Sequence, residues 1–401
     1  RSDMGLSNYF WPTDDMDFWK LINQEYQVEI RWSKDTFIDY RDLAYVFYKS
    51  GFHTFKNIIE SGHDNVKSDM WFLPGIFMLR QSMELGLKAL LCRIYTKNFD
   101  IQAAFEECCH DLFMLWQKYS QEENYLSNEE SIWISTYLWS LELVDSKSDV
   151  FRFPFEDEFL AQYRDKFIDI VEVANNMLQA FALIKKCINK GVVAEEDAFD
   201  NKLRPEFFIM ANHGIGNCYF WQSISDNGFH VKVTGYIEVA DFIFFNQELS
   251  NEEKVYPVMF LLRNAIELCL KRIFYSSVEN GVTKHTFFSK RKSHKIKKDL
   301  WKNVRPVIQY YANEQGQDLS IIDLAERGLL TIDTLDKNGD VFRYPTSYSL
   351  EYRINNKTID LKNVYEYMRA LINFFEGCDS MLDAISDFES EMRSYYEYDA
   401  Y

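Results

Sequence analysis

The sequence predicts an all-α protein made of two tandem helical bundles related by internal duplication, and three observations predict it. Glycine and proline are scarce, 15 and 7 in 401 residues, which favours helices over a sandwich or barrel of many short strands. Two stretches carry an apolar pattern with charges four residues apart, the spacing of one helix face. The blocks around those stretches recur in the same order, the sign of a duplicated domain.

Taken in chain order, QVEIRW at 27–32 reads as a short strand, and HVKVTGYIEV at 230–239, rich in β-branched residues, reads as another near the start of the second copy. YFW at 9–11 is echoed at 219–221 and is read as core. FMLRQSMELGLKALL at 77–91 matches FLLRNAIELCLKRIF at 260–274, so Arg80, Glu84 and Lys88 correspond to Arg263, Glu267 and Lys271. On a helical wheel these three charges fall within about 80° of one another, while Ser82, Gly86 and Ala89 form a small-residue face. A helix this apolar all round is expected to be central and buried. Its charges then form either an Arg–Glu–Lys ladder at the core's edge or a polar stripe facing a cleft, because an unpaired buried charge is costly.

His110 in CCHDLFMLW corresponds to His294 in SHKIKKDLW, and each opens a further helix. LVDSKSDVFRFP at 143–154 matches TLDKNGDVFRYP at 334–345. In both, a polar turn is followed by an extended strip that ends in proline and aims Arg152 or Arg343 inward. The two readings of these arginines are an ion pair, Arg152 with Glu84 or Arg343 with Glu267, and a ligand contact. Apolar helical patterns at 168–184 and 361–375 close the copies. The first bundle is therefore placed at 4–185, a polar linker at 186–206, the second bundle at 207–386 and an acidic tail at 387–401. Residues 1–3, ahead of Met4, are expected to lie outside the fold.

Net charge is −18. An evenly acidic surface would repel nucleic acid and anionic membrane, so a phosphate site has to be a local basic patch. Such a patch exists: residues 284–305 hold nine Lys or Arg, including Lys290, Arg291, Lys292 and Lys295, against the single acid Asp299. This segment is either a solvated loop or a contact for phosphate or RNA. Seven cysteines without a CxxC pair point to reduced thiols and no zinc site. No signal peptide and no apolar run near 18 residues is visible, so the expected setting is cytoplasmic, without a membrane, metal or cofactor. Phosphate-loop, nucleophile-elbow and HEXXH patterns are absent.

Together, RQSMELGLKALL with HDL and FRFP, then RNAIELCLKRIF with HKI and FRYP, resemble the HEPN domain family in two divergent copies over about three quarters of the chain. The resemblance implies bundles of four or five helices. It also implies a nucleotide- or RNA-binding accessory module in bacterial stress or antiviral defence, often partnered with a nucleotidyltransferase, or a metal-independent ribonuclease. Because such bundles dimerise, it further implies a pseudo-dimer of the two copies, a homodimer as a further option, and a cleft lined by Arg80, Arg152, Arg263 and Arg343 with the neighbouring Glu84, Lys88, Glu267 and Lys271. The family's nuclease members carry Arg-x(4–6)-His, and none of the seven histidines here follows an arginine at that spacing. His110 and His294 are the acid/base candidates if the chain cleaves RNA. A protein-interaction scaffold is the third reading.

Overall fold

A computed structural model describes residues 10–220, 227–278 and 282–399. Tyr9 and Trp221 of the aromatic echoes, the first residues of the bundle placed from residue 4, and the last two of the tail lie outside the described residues. The described chain is mainly helical. Its thirteen α-helices are α1 (Thr36–Glu60), α2 (Phe72–Ile94), α3 (Asn98–Cys108), α4 (Leu112–Ser120), α5 (Asn128–Val144), α6 (Asp157–Tyr163), α7 (Ile170–Ile188), α8 (Phe229–Phe245), α9 (Asn251–Ser276), α10 (Lys284–Lys290), α11 (Lys302–Glu314), α12 (Ser320–Leu335) and α13 (Leu361–Asp399). Five short strands accompany them: β1 (Gln27–Ile30), β2 (Phe167–Ile168), β3 (Met210–Ala211), β4 (Cys218–Tyr219) and β5 (Lys357–Asp360). Among the described residues no helix is long and apolar enough to cross a membrane.

The chain divides into two compact units. The larger contains residues 28–261 and 341–358, and the smaller contains 1–27, 262–340 and 359–401. The division falls inside α9, between Leu261 and Leu262.

In the larger unit α2 is the central helix, as its pattern predicts: every residue from Phe72 to Cys92 is buried. Helices α1, α4, α7 and α8 pack on it. The small-residue face is where α7 crosses, since a Cβ on Gly86 would lie 2.8 Å from Ile184 Cγ2. Side-chain caps fix where several of these helices begin. Asp35 accepts from Ile38 N, Asp111 from Met114 N and Asp169 from Glu172 N, each satisfying an otherwise orphaned donor. Ser127 and Glu130 form a reciprocal capping box on α5. A small antiparallel sheet, ordered β3-β2-β4, pairs Phe167 with both Ala211 and Tyr219.

Two local expectations met different fates. Gln27–Ile30 is a strand, β1, paired with β5. The stretch 230–239, expected to be a strand, is instead helical and forms most of α8. Val231, Val233, Ile237 and Val239 are buried there, so tertiary burial overrides their weak preference for extended backbone.

The stretch 186–206 has no helix after Ile188 except a 3-10 turn at Glu195–Asp197. It is tied to the larger unit: Trp133 Nε1 donates to Leu203 O at 2.8 Å and Asn176 Nδ2 to Arg204 O at 2.8 Å. Residues 341–358 lie against α1 and α2 as a strap. Tyr40 Oη meets Thr346 Oγ1 at 2.9 Å, Tyr352 donates to Asp39, and Trp32 Nε1 donates to Ile354 O at 2.9 Å.

In the smaller unit the second half of α9 and helices α10–α13 supply the core, with α11 and α12 packed on α13. A Cβ on Gly328 of α12 would stand 2.7 Å from Leu371 Cδ2 of α13, so a larger residue there would have to displace the leucine. Helix α13 runs through the predicted acidic tail to Asp399.

Candidate functional site

Helix α2 carries Arg80, Glu84 and Lys88 on one face, and all three are wholly buried. The three charges of α2 therefore form a buried ladder. Arg80 Nη1 lies 3.0 Å from Glu84 Oε1, and Lys88 Nζ lies 3.0 Å from Glu84 Oε2. Two further groups converge on the same carboxylate. His110, delivered by the turn between α3 and α4, places Nδ1 3.1 Å from Glu84 Oε1. Tyr344, delivered by the strap, donates its hydroxyl to Glu84 Oε2 and lies 3.0 Å from His110 Nδ1. The Lys88 ammonium sits over the rings of Tyr344, Tyr348 and Phe105 at 4.6, 5.3 and 5.4 Å, an aromatic cage that suits a cation removed from water.

The charges balance locally. Burial pushes the Glu84 carboxyl up, but Lys88, His110 and Arg80 outweigh it and hold the group well below the usual carboxylate range. Burial draws His110 below its ordinary value despite Glu84. Arg80 also ties three segments together. Its Nη2 donates to His110 O at 2.7 Å and Asp145 O at 3.0 Å, while Nε lies 3.3 Å from Asp145 Oδ2. The other Asp145 oxygen accepts from Asp149 N and Val150 N, which is the turn predicted before FRFP.

The smaller unit repeats the bonds among arginine, glutamate, lysine, histidine and aspartate. Arg263 Nη1 lies 2.6 Å from Glu267 Oε2, Lys271 Nζ 2.9 Å from Oε1, and His294 Nδ1 2.7 Å from Oε1. Arg263 Nη2 donates to His294 O at 2.8 Å and to Asp336 O at 3.4 Å. Asp336 Oδ1 accepts from Gly339 N and Asp340 N. Glu267 is likewise held well below its ordinary range: burial raises it, and Lys271, His294 and Arg263 overcome that.

Arg152 and Arg343 are buried too. Phe77 and Phe260 stack with centroids 4.6 Å apart at 14°. Arg152 lies 5.8 Å from the Phe77 ring and 5.2 Å from Phe260; Arg343 lies 5.2 Å from Phe77 and 5.8 Å from Phe260. The predicted Arg152–Glu84 pair does not form, because Arg80, Lys88, His110 and Tyr344 already fill that carboxylate. Arg343 binds Gln81 Oε1 at 3.0 Å and Ser148 Oγ at 2.9 Å. All four arginines expected to line a cleft are thus buried in the protein's own bonds or against its own rings.

Solvent meets other groups. The His110 side chain is 28% exposed and the His294 side chain 39%. Around His294, Lys290, Lys292, Lys295, Lys297 and Lys298 are exposed and Arg291 is half-buried. Asp299 steadies this segment: Ser293 Oγ donates to it at 2.5 Å and Lys290 Nζ approaches to 3.4 Å.

Each pair joins a buried carboxylate to a histidine ring that reaches solvent. The carboxylate engages Nδ1 and orients the imidazole, so Nε2 is the nitrogen through which the ring can exchange a proton. Among the described residues no three His, Cys, Asp or Glu side chains group as a metal site. Sequence reasoning missed Gln81, Asp145, Asp336 and the bond from Tyr344. The signals were there: both aspartates begin the repeated turn, and Tyr344 is the point where FRYP departs from FRFP. Compared with family models, curated proteins and solved structures, the chain matches none.

Proposed function

We propose that the chain is a HEPN-like nucleotide- or RNA-binding protein, an accessory or regulatory factor in bacterial stress or antiviral defence. In this reading it is built from two copies of one bundle set about a pseudo-twofold axis. The duplication is supported by the two matching carboxylate sites and by the stacked Phe77–Phe260 pair, on which Arg152 and Arg343 sit at exchanged distances. The observation that carries the binding reading is the run of exposed lysines from 290 to 298 around His294 in a chain of net charge −18. Such a local excess of positive charge attracts a polyanion that the rest of the surface repels.

The test is a titration of labelled single-stranded RNA in EDTA at several salt concentrations. Affinity should fall steeply with salt. The triple variant Lys290→Gln/Lys295→Gln/Lys298→Gln should flatten the slope by roughly 0.7 per charge removed. No binding by the wild type at about 50 mM salt, where phosphate contacts are strongest, would end this reading.

A second reading, a divergent metal-independent endoribonuclease, is favoured by the glutamate-oriented histidines. There His294 and His110 would move the ribose hydroxyl proton, and a nearby cation would stabilise the charge that develops at phosphorus. It predicts RNA cleavage in EDTA by the wild type and none by the His110→Ala/His294→Ala double variant.

A further inference from the structure

A groove of about 470 Å³ opens on the smaller unit between Val282–Thr286 and the first turns of α11. Its volume is within the range of small-ligand sites. Val282 and Val307 are buried and form its apolar floor. Its polar groups are few and specific. Asn303 Nδ2 donates to Asp299 O at 2.7 Å, which fixes the amide and leaves Oδ1 as its acceptor. Thr283 and Thr286 join hydroxyls at 2.9 Å. Pro306 has no N–H to give the Lys302 carbonyl four residues earlier, so the usual helical bond at that acceptor cannot form. At one end stands Tyr310, 60% exposed. At the other is Lys302, exposed and without an ion-pair partner among the described residues. The groove continues the run of lysines that ends at Lys298.

An exposed aromatic ring, a cation one helical turn or more away and acceptors between them are the elements that hold a single unstacked base and its phosphate. We propose that this groove is a base-binding subsite for single-stranded RNA, with Tyr310 as the stacking face and Lys302 at the adjoining phosphate. The proposal rests on the RNA-binding reading above and adds to it: the lysines attract any polyanion, whereas the groove requires a splayed base. Duplex RNA, whose bases are already stacked, cannot use it.

The experiment is fluorescence anisotropy with a labelled ten-residue oligoadenylate in EDTA. It compares wild type, Tyr310→Ala, Tyr310→Phe and Lys302→Gln, repeated with an abasic strand of the same charge. Tyr310→Ala should weaken oligoadenylate binding about tenfold, within the range for one stacked base, with its salt slope unchanged. Tyr310→Phe should keep wild-type affinity, because the ring face remains. Lys302→Gln should reduce the slope by roughly 0.7. On the abasic strand, wild type and Tyr310→Ala should bind alike. If the wild type binds oligoadenylate and Tyr310→Ala binds it equally well, the groove is not a base site and the RNA reading stands. Equal weakening of the abasic strand by Tyr310→Ala would also overturn the stacking role. A wild type that binds neither strand removes the RNA reading, and the subsite with it. Because Tyr310 is largely exposed, unchanged circular dichroism of Tyr310→Ala is expected and separates a lost ring from a lost fold.

Discussion

The Glu84 and Glu267 sites are assembled from the same residue types with the same connections, yet they are closed differently. In the larger unit Tyr344 adds a hydroxyl to Glu84 and a ring to the cage over Lys88. The matching residue of the other block is Phe153, which has no hydroxyl. The residue after each histidine also reverses sign, Asp111 after His110 and Lys295 after His294. One histidine is followed by an acid and the other lies in a run of lysines, and His294 is the more exposed. The same buried bonds thus underlie histidines whose sequence neighbours differ in charge. The Arg–Glu–Lys ladder belongs to folding, and whatever distinguishes the sites functionally lies in the residues that rim them.

The sharpest way to break this comparison is to remove the carboxylates. Glu84→Gln leaves Lys88 buried without its counter-ion and Arg80 with Asp145 alone, and losing one partner of a buried pair costs about 3–5 kcal/mol. Glu267→Gln should cost less, because Lys271 and His294 keep more access to water. Urea unfolding of both variants measures this. Equal losses would mean that exposure at the rim does not distinguish the sites. Next in size is Tyr344→Phe, which makes the strap resemble FRFP and deletes a hydrogen bond to a buried carboxylate. A loss of about 2 kcal/mol is expected, since bonds to charged groups contribute about 1.5–3. A Tyr344→Phe protein as stable as wild type would mean that Arg80, Lys88 and His110 alone satisfy Glu84.

Much of this architecture was legible. The central helix, its three-charge stripe, the turn before each Phe-Arg and the helix opened at Asp111 all follow from local spacing and capping chemistry, which a single segment encodes. What the sequence hid depends on partners distant along the chain. HVKVTGYIEV looks extended until its burial in the larger unit is known. Tyr344 shows no affinity for Glu84 until the strap brings the two together across the fold. The arginines of the Phe-Arg blocks were open to an ion pair or a ligand contact, because a lone arginine before a proline turn gives no hint of Gln81, Ser148 or a stacked phenylalanine pair. The rim lysines were plain in composition, but the groove beside Tyr310 needed two separate segments to meet.

The last test is read against pH and concerns the carboxylates near His110. Glu142 on α5 has its carboxyl raised to about 7, first by burial and then by the neighbouring Asp111 carboxylate. Its pKa is higher folded than unfolded, so its proton favours the native state below the unfolded value of 4.5, and that contribution is lost as pH rises through about 7. Glu142→Gln keeps the shape and removes the titration. Relative to wild type, the variant should gain stability between about pH 5 and pH 8, read from urea midpoints at the two ends. His110 acts in the opposite direction, because burial lowers its value, and it is present in both proteins, so it cancels in the difference. A difference that does not change with pH would show that burial and Asp111 do not raise the Glu142 carboxyl in the folded protein. The contrast between the surroundings of His110 and His294 would then rest on Lys295 and its neighbours alone.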